Sequence, residues 1–157
     1  MCRVDNVEIV APSAGMPPTA VLRVRDGGLA DSGSWIYAWW RTRDLRVIYV
    51  GSTGLPPCVR TWLHLNDPDP AIGRVAALYP AAATEPLDVL FLQLSPSAPR
   101  QAAKLALIHE LQIHTMLADD YFGDLPPAAA PHHFDAMFAQ ELARFIELLA
   151  GHPRDEA

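Results

Sequence analysis

The feature that most constrains this chain is a pair of aromatic-rich extended runs joined by a very short turn. Trp35–Thr42 (WIYAWWRT) and Arg46–Gly51 (RVIYVG) flank Arg43-Asp44. Aromatic and β-branched residues favour strands, and a connection this short leaves antiparallel pairing as the natural arrangement. Alternation puts Trp35, Tyr37 and Trp39 on one face and Ile36, Ala38 and Trp40 on the other. Both faces are apolar enough to need cover. A two-stranded ribbon is marginal alone in water, so the rest of the chain has to cover both faces.

Gly51-Ser52-Thr53-Gly54 ends the second run, and Pro56-Pro57 opens a helix predicted to reach about Leu65. Proline is tolerated there because first-turn amides lack intrahelical partners. Asn66 to Pro70 breaks that helix, and Asp69 is placed to cap a short helix from Pro70 to Tyr79. Leu87–Leu94 (LDVLFLQL) is almost wholly apolar and reads as a central strand. After a Ser95–Pro99 loop, Arg100–Leu117 reads as a helix with Ala103, Leu107, Glu110, Leu111, His114 and Leu117 along one side. A Pro/Ala-rich linker, Pro126–Pro131, precedes a last amphipathic helix at about Phe134–Leu149, which Gly151 ends. Before Trp35, Val7–Val10 and Ala20–Val24 suggest short strands. They are separated by a loop from Pro12 to Pro18 and followed by turns at Asp26-Gly27-Gly28 and Asp31-Ser32-Gly33. They are expected to form an addition packed on the edge of the main sheet.

The expected fold class is α+β, a small three-stranded antiparallel sheet flanked by helices, with N-terminal and C-terminal additions. The chain has 157 residues, which suits a single domain with a real core. Half the residues are hydrophobic and 19% are charged, the balance of a folded globular protein. The core is expected over about 35–120, with additions at 1–34 and 130–151. Two cysteines, Cys2 and Cys58, make neither a disulfide framework nor a zinc site. With no secretory leader pattern and no long apolar run, a cytoplasmic setting without a membrane partner is expected.

A net charge of −6 argues against a surface that coats phosphates generally. The charge is uneven, however. Residues 35–64 hold four arginines against one aspartate, whereas residues 110–157 hold nine acidic side chains against two arginines. A nucleic-acid contact would therefore be local to the first of these regions.

Four residues in that region are spaced for joint chemistry. Eleven residues separate Tyr37 from Tyr49, Gly51 follows two positions on, and Arg60 and His64 lie four apart on one helix. Residues four apart share a helical face. Arginine offers a planar fork that matches phosphate oxygens, and histidine can relay a proton near neutrality. Taken singly, each has a bland reading: tyrosines in strands are usually core, and a helical arginine is usually solvated. In order and at this spacing they are worth more.

The stretch from Trp35 to His64 resembles the GIY-YIG nuclease family. That family's signature is a Gly-Ile-Tyr strand, a spacer of this order, a Tyr-Ile-Gly strand, and a helix with Arg and His or Tyr four apart. Here the letters are Trp35-Ile36-Tyr37 and Tyr49-Val50-Gly51, with Trp35 in place of the first glycine. The resemblance implies a metal-dependent endonuclease, a hydrolase that cleaves a phosphodiester of DNA by water attack. Tyr37, Tyr49, Arg60, His64 and Glu110 would be catalytic, with Gly51, Ser52 and Thr53 against the substrate. It also implies one Mg²⁺ (or Mn²⁺) held chiefly by Glu110, the one acidic residue of Arg100–Leu117; the family's polar residue further on, commonly Asn, has no evident counterpart here, with Asp119, Asp120 and Asp124 in its neighbourhood. Glu110 sits in sequence amid Leu107, Ile108, Leu111 and Ile113, where a carboxylate is costly unless paired or bound to a cation. The implied partner is DNA, with a homodimer or partner protein a further possibility for cutting both strands.

Two other readings stand beside the nuclease: a binding module that keeps the scaffold without the chemistry, and an enzyme turned to a small molecule. His109-Glu110 with His114 does not make a metalloprotease motif. Five residues turn a helix by about 500°, which leaves the histidines about 140° apart instead of one turn apart. His132-His133 reads as an exposed loop pair. Trp39, Trp40 and Trp62 could stack bases, although core packing is the commoner use of tryptophan in a small sheet.

Overall fold

The structure, a computed structural model, describes residues 33–95 and 97–125, four short strands before them, and Arg144 and Glu147. The short strands are β1 (Glu8–Val10), β2 (Thr19–Val21), β3 (Val24–Arg25) and β4 (Gly28–Leu29). They pair as two separate antiparallel ladders, β1 with β2 and β3 with β4, and add no strand to the main sheet. The Pro12–Pro18 loop, the Pro126–Pro131 linker, His132-His133 and the Phe134–Leu149 helix lie outside the described residues, Arg144 and Glu147 excepted.

The main sheet is antiparallel and three-stranded, in the order β6-β5-β7, with β5 at Ser34–Arg41, β6 at Val47–Thr53 and β7 at Leu87–Leu94. The architecture is α+β, as the sequence predicts. Leu87–Leu94 is not the central strand. It pairs with β5 alone among the described residues, in a register running from Ser34↔Leu94 to Arg41↔Leu87. Leu87–Leu92 are half-buried, whereas Ile36–Trp40 of β5 are buried throughout. Apolar content did not separate the two cases because an edge strand under helices still covers both of its faces.

The β5–β6 turn passes through Thr42–Asp44, with Leu45 in the left-handed region at φ 56°. Asp44 holds the turn: its Oδ1 accepts from the Arg46 amide at 3.1 Å, while the Leu45 amide reaches the Arg41 carbonyl at 2.9 Å. Beyond it, a bulge shifts the register between Trp39↔Tyr49 and Trp40↔Val47. The extra residue is Ile48. Ile48 and Tyr49 therefore both belong to the face that carries Tyr37 and Trp39, while Val47 and Val50 belong to the other. A bulge re-aims side chains in this way.

The sheet separates two cores. Helix α3 (Arg100–Ile113) packs Ala103, Ala106, Leu107, Ile108 and Leu111 against Ile36, Ala38, Trp40, Val47 and Val50. Helices α1 (Pro57–Asn66) and α2 (Arg74–Leu78) belong to the opposite face, where Tyr37, Trp39, Ile48, Tyr49, Val75, Tyr79 and Ala118 form the second core. Asp69 does cap a turn, accepting from the Ala71 amide at 2.8 Å, but α2 itself starts only at Arg74.

Helix α3 stops at Ile113, short of the expected Leu117. The Thr115 amide donates to the Gln112 carbonyl at 3.0 Å and the Met116 amide to the Leu111 carbonyl at 2.8 Å. These are the two bonds of a Schellman stop, with Thr115 at φ 52° in the place glycine usually takes. The released chain then docks on the free edge of β6. Val47 donates to Met116 at 2.9 Å, and Ala118 donates to Val47 at 2.8 Å. Phe122 donates to the Ile48 carbonyl at 3.1 Å, so residues 116–122 cover part of that edge. Among the described residues, no helix is long and apolar enough to cross a membrane.

Candidate functional site

The site forms where β5, β6 and α1 meet. Tyr37 and Gly51 are direct cross-strand partners, and the Tyr37 side chain lies across the glycine. A Cβ built on Gly51 would stand 2.3 Å from the Tyr37 hydroxyl and 2.4 Å from its ring carbon. Only glycine leaves that space. The third residue of the Tyr-Val-Gly run therefore has a physical role: it is the floor on which the tyrosine of the neighbouring strand lies.

Above that floor the Tyr37 hydroxyl meets α1. It lies 2.7 Å from His64 Nε2, and Arg60 Nε donates to it at 3.2 Å. His64 is the one buried residue of α1 and is fully enclosed by three aromatic rings. Tyr49, Tyr37 and Trp39 stand edge-on to it at 5.4, 5.6 and 5.8 Å between centroids. Burial, aided by the nearby positive charges of Arg60 and Arg74, lowers its pKa to about 3. The imidazole is neutral at neutral pH, and in the tautomer that carries its hydrogen on Nδ1 the Nε2 accepts the Tyr37 proton. Nδ1 is buried without a hydrogen-bond partner among the described residues. The Tyr37 phenol is pushed well above its ordinary range, by burial first and by Tyr49 next, against a smaller downward pull from Arg60. Both members of the pair are thus held uncharged, and both have 0% exposure. Arg60, half-buried, is their link toward solvent.

Tyr49 extends the cluster. Its ring stacks on Phe122 at 5.1 Å and 2°, and the Arg74 guanidinium lies over it, 5.7 Å from the centroid. Arg74 comes from the first turn of α2. Asp124 stands beyond it, with Oδ1 at 3.8 Å from Arg74 and Oδ2 at 2.8 Å from Lys104 Nζ. The hydrogen bond and charge of Lys104 hold the Asp124 carboxyl below the usual range. This chain of charges links Tyr49 to Lys104 of α3.

The sequence-predicted residues divide accordingly. Tyr37, Tyr49, Gly51, Arg60 and His64 come together. Ser52 pairs with Ile36 and so faces the α3 side of the sheet. Thr53 shares the Tyr37 face, but its hydroxyl accepts from the Leu55 amide at 2.9 Å. Trp35 stands edge-on to Phe91 at 6.4 Å and folds close over Gly33. Of the other three tryptophans, Trp39 and Trp40 are core, and Trp62 is 60% exposed.

Glu110 does not join the cluster. It rides on the helix that covers the opposite face, and it is not enclosed by Leu107, Ile108, Leu111 and Ile113 as its neighbours in sequence suggest. Its side chain is 38% exposed, with His114 Nε2 at 3.9 Å on the same helix, and Ile113 points outward as well. The helical turn sends Leu107, Ile108 and Leu111 inward and leaves Glu110 on the flank. A divalent cation on Glu110 would therefore act away from Tyr37, His64 and Arg60. Among the described residues, no group of three or more His, Cys, Asp and Glu side chains is placed to hold a metal ion. Asp124, the carboxylate beside Arg74, is already bound to Lys104 at 2.8 Å. Among the described residues, those present do not fit the Mg²⁺ site that the resemblance implies.

Arg74, Asp124 and Phe122 were not singled out together by sequence. Asp124 was one of three neighbouring aspartates, and Arg74 lies in a weakly patterned segment with nothing to mark it. No family model, no curated protein and no solved structure matches this chain.

Proposed function

We propose that the chain is a GIY-YIG-like phosphodiesterase that acts on nucleic acid at the Arg60–Tyr37–His64 cluster. The observation that carries this reading is the Tyr37 hydroxyl held between a neutral His64 at 2.7 Å and the Arg60 guanidinium at 3.2 Å. A phenol alone is a poor base near neutrality. Coupled to an imidazole that accepts its proton, it can pass one on.

In this scheme Arg60 turns its remaining donors to a phosphate oxygen and stabilises the charge that grows there. A water attacks phosphorus and gives its proton to the Tyr37 oxygen as the Tyr37 proton passes to His64 Nε2. The ester bond breaks with its electron pair on the leaving oxygen, which takes the proton back along the same path. The burial that keeps His64 neutral also makes it a weak base at rest. A bound phosphate would offset the charges of Arg60 and Arg74, and so raise its basicity when substrate is present.

The decisive experiment is cleavage of supercoiled plasmid and of single-stranded DNA by wild type, Tyr37→Phe and Arg60→Ala, with Mg²⁺, with Mn²⁺ and with chelator. Cutting that both substitutions reduce at least 100-fold supports the reading. Cutting that survives Tyr37→Phe removes Tyr37 from the mechanism. The complete burial of Tyr37 and His64 favours a second reading, a phosphate-binding module in which the pair only braces Arg60. Binding of DNA without turnover, lost in Arg60→Ala and retained in Tyr37→Phe, would select it.

A further inference from the structure

We propose that Arg74 is a second phosphate-binding residue, forming with Arg60 a two-guanidinium clamp beside the Tyr49 and His64 rings. This rests on the reading of Arg60 as a phosphate ligand. It adds a residue that lies outside the spaced motif, on a different helix.

The unspent donors of Arg74 carry the argument. Its guanidinium lies over the Tyr49 ring, 5.7 Å from the centroid. Its Nε is buried without a hydrogen-bond partner among the described residues. The Asp124 oxygen near it stands at 3.8 Å, too far for a hydrogen bond. That carboxylate's other oxygen is bound to Lys104 at 2.8 Å. Arg74 thus sits beside a carboxylate already committed elsewhere, and with a third of its side chain exposed it stays reachable from solvent.

Arg60 is placed similarly: among the described residues its hydrogen-bond partner is the neutral Tyr37 hydroxyl, and no carboxylate stands within ion-pair distance of it. Arg60 meets Tyr37 at 3.2 Å, Tyr37 meets His64 at 2.7 Å, and the His64 ring stands 5.4 Å from the Tyr49 ring over which Arg74 lies, so both arginines border one cluster. Two guanidiniums, one aspartate and a lysine that already neutralises it leave a local positive excess on a chain of net charge −6. Paired planar forks suit the oxygens of a phosphodiester and repel a divalent cation.

The test is binding of a fluorescein-labelled 12-nucleotide single-stranded DNA to the full chain, by anisotropy across a salt series. The proteins are wild type, Arg74→Ala, Arg74→Gln, Arg74→Lys, Arg60→Ala and, as a control away from the site, Arg43→Ala. Urea midpoints establish that each is folded, and Arg74→Gln, which keeps a stem over Tyr49, serves if Arg74→Ala does not fold. The clamp predicts that losing the Arg74 charge weakens binding about tenfold or more and lowers the salt slope by about 0.7, one single-strand contact. Arg74→Lys should keep the slope and recover part of the affinity, and Arg43→Ala should bind as wild type. If Arg60→Ala weakens binding and the Arg74 variants do not, the clamp is overturned and the Arg60 reading stands. Weakening with an unchanged slope also overturns it, because the loss then comes from packing on Tyr49. A wild type that does not bind overturns both.

Discussion

The two faces of the β6-β5-β7 sheet are built from the same three strands, yet they serve opposite ends. Under α3 the contacts are aliphatic, apart from Trp40: Ile36, Ala38, Val47, Val50, Leu94, Leu107, Ile108 and Leu111. Under α1 and α2 they are aromatic, and they enclose a Tyr37–His64 hydrogen bond with two arginines close by. Each large aliphatic side chain fully removed from water contributes about 1.5–3 kcal/mol, so the first face supplies stability at little risk. The second face encloses polar atoms, which are tolerable only when paired. His64 Nδ1 has no hydrogen-bond partner among the described residues. The aromatic face thus encloses a polar pair that the aliphatic face does not.

That contrast can be broken from either side. Leu107→Ala, at a fully buried site beneath α3, should lower the unfolding free energy by about 2–5 kcal/mol, read by urea denaturation. DNA binding by the fraction that remains folded should be unchanged. Equal damage to binding would show that the faces are not independent.

The polar face should reveal itself through pH. The His64 pKa is lower folded than the ordinary 6.5, at about 3, so the unfolded chain takes the proton more readily. Its neutral form is accommodated in full above pH 6.5, and stability falls as pH drops from 6.5 toward 3, by up to about 1.4 kcal/mol per unit. Unfolding measured at pH 7.5, 6.5, 5.5 and 4.5 should show that fall in wild type and a shallower one in His64→Phe. Asp124, whose pKa is lowered, adds its own loss only below its ordinary value of 3.8, outside most of this window. Identical pH slopes in the two proteins would mean that His64 is not held neutral by the fold.

Gly51→Ala sharpens the comparison at one atom. The added Cβ would meet the Tyr37 hydroxyl at 2.3 Å, so the phenol must move off His64. The expected cost is about 1–3 kcal/mol, together with loss of cleavage or binding at the cluster. A high-resolution structure of the variant with the 2.7 Å Tyr37–His64 contact intact would refute this.

The smallest effect is expected at Glu110. Its side chain is over a third exposed, with His114 at 3.9 Å, and such pairs contribute about 0–1 kcal/mol. Glu110→Gln should shift stability by less than about 0.5 kcal/mol and leave DNA binding and any cleavage unchanged. Loss of metal-dependent cutting in this variant would instead restore Glu110 to the site.

Sequence by itself determined the order of the core elements and the residues of the cluster's centre. Strand alternation put Tyr37 and Ile36 on opposite faces, and helical spacing put Arg60 and His64 on one. These follow from local geometry, whose periods of 2 and 3.6 are written in the chain. Tertiary structure decided what depends on pairing and on rotation about an axis. Sheet order moved the apolar Leu87–Leu94 to an edge. A Schellman stop ended α3 four residues early and sent Met116–Phe122 along β6. The same helix turned Glu110 outward on the far face. Sheet edges and loop returns then brought Arg74 and Asp124, fifty residues apart, to the rim of Tyr49. No spacing in a linear chain encodes which distant cation will face which ring, because that is settled only when the layers pack.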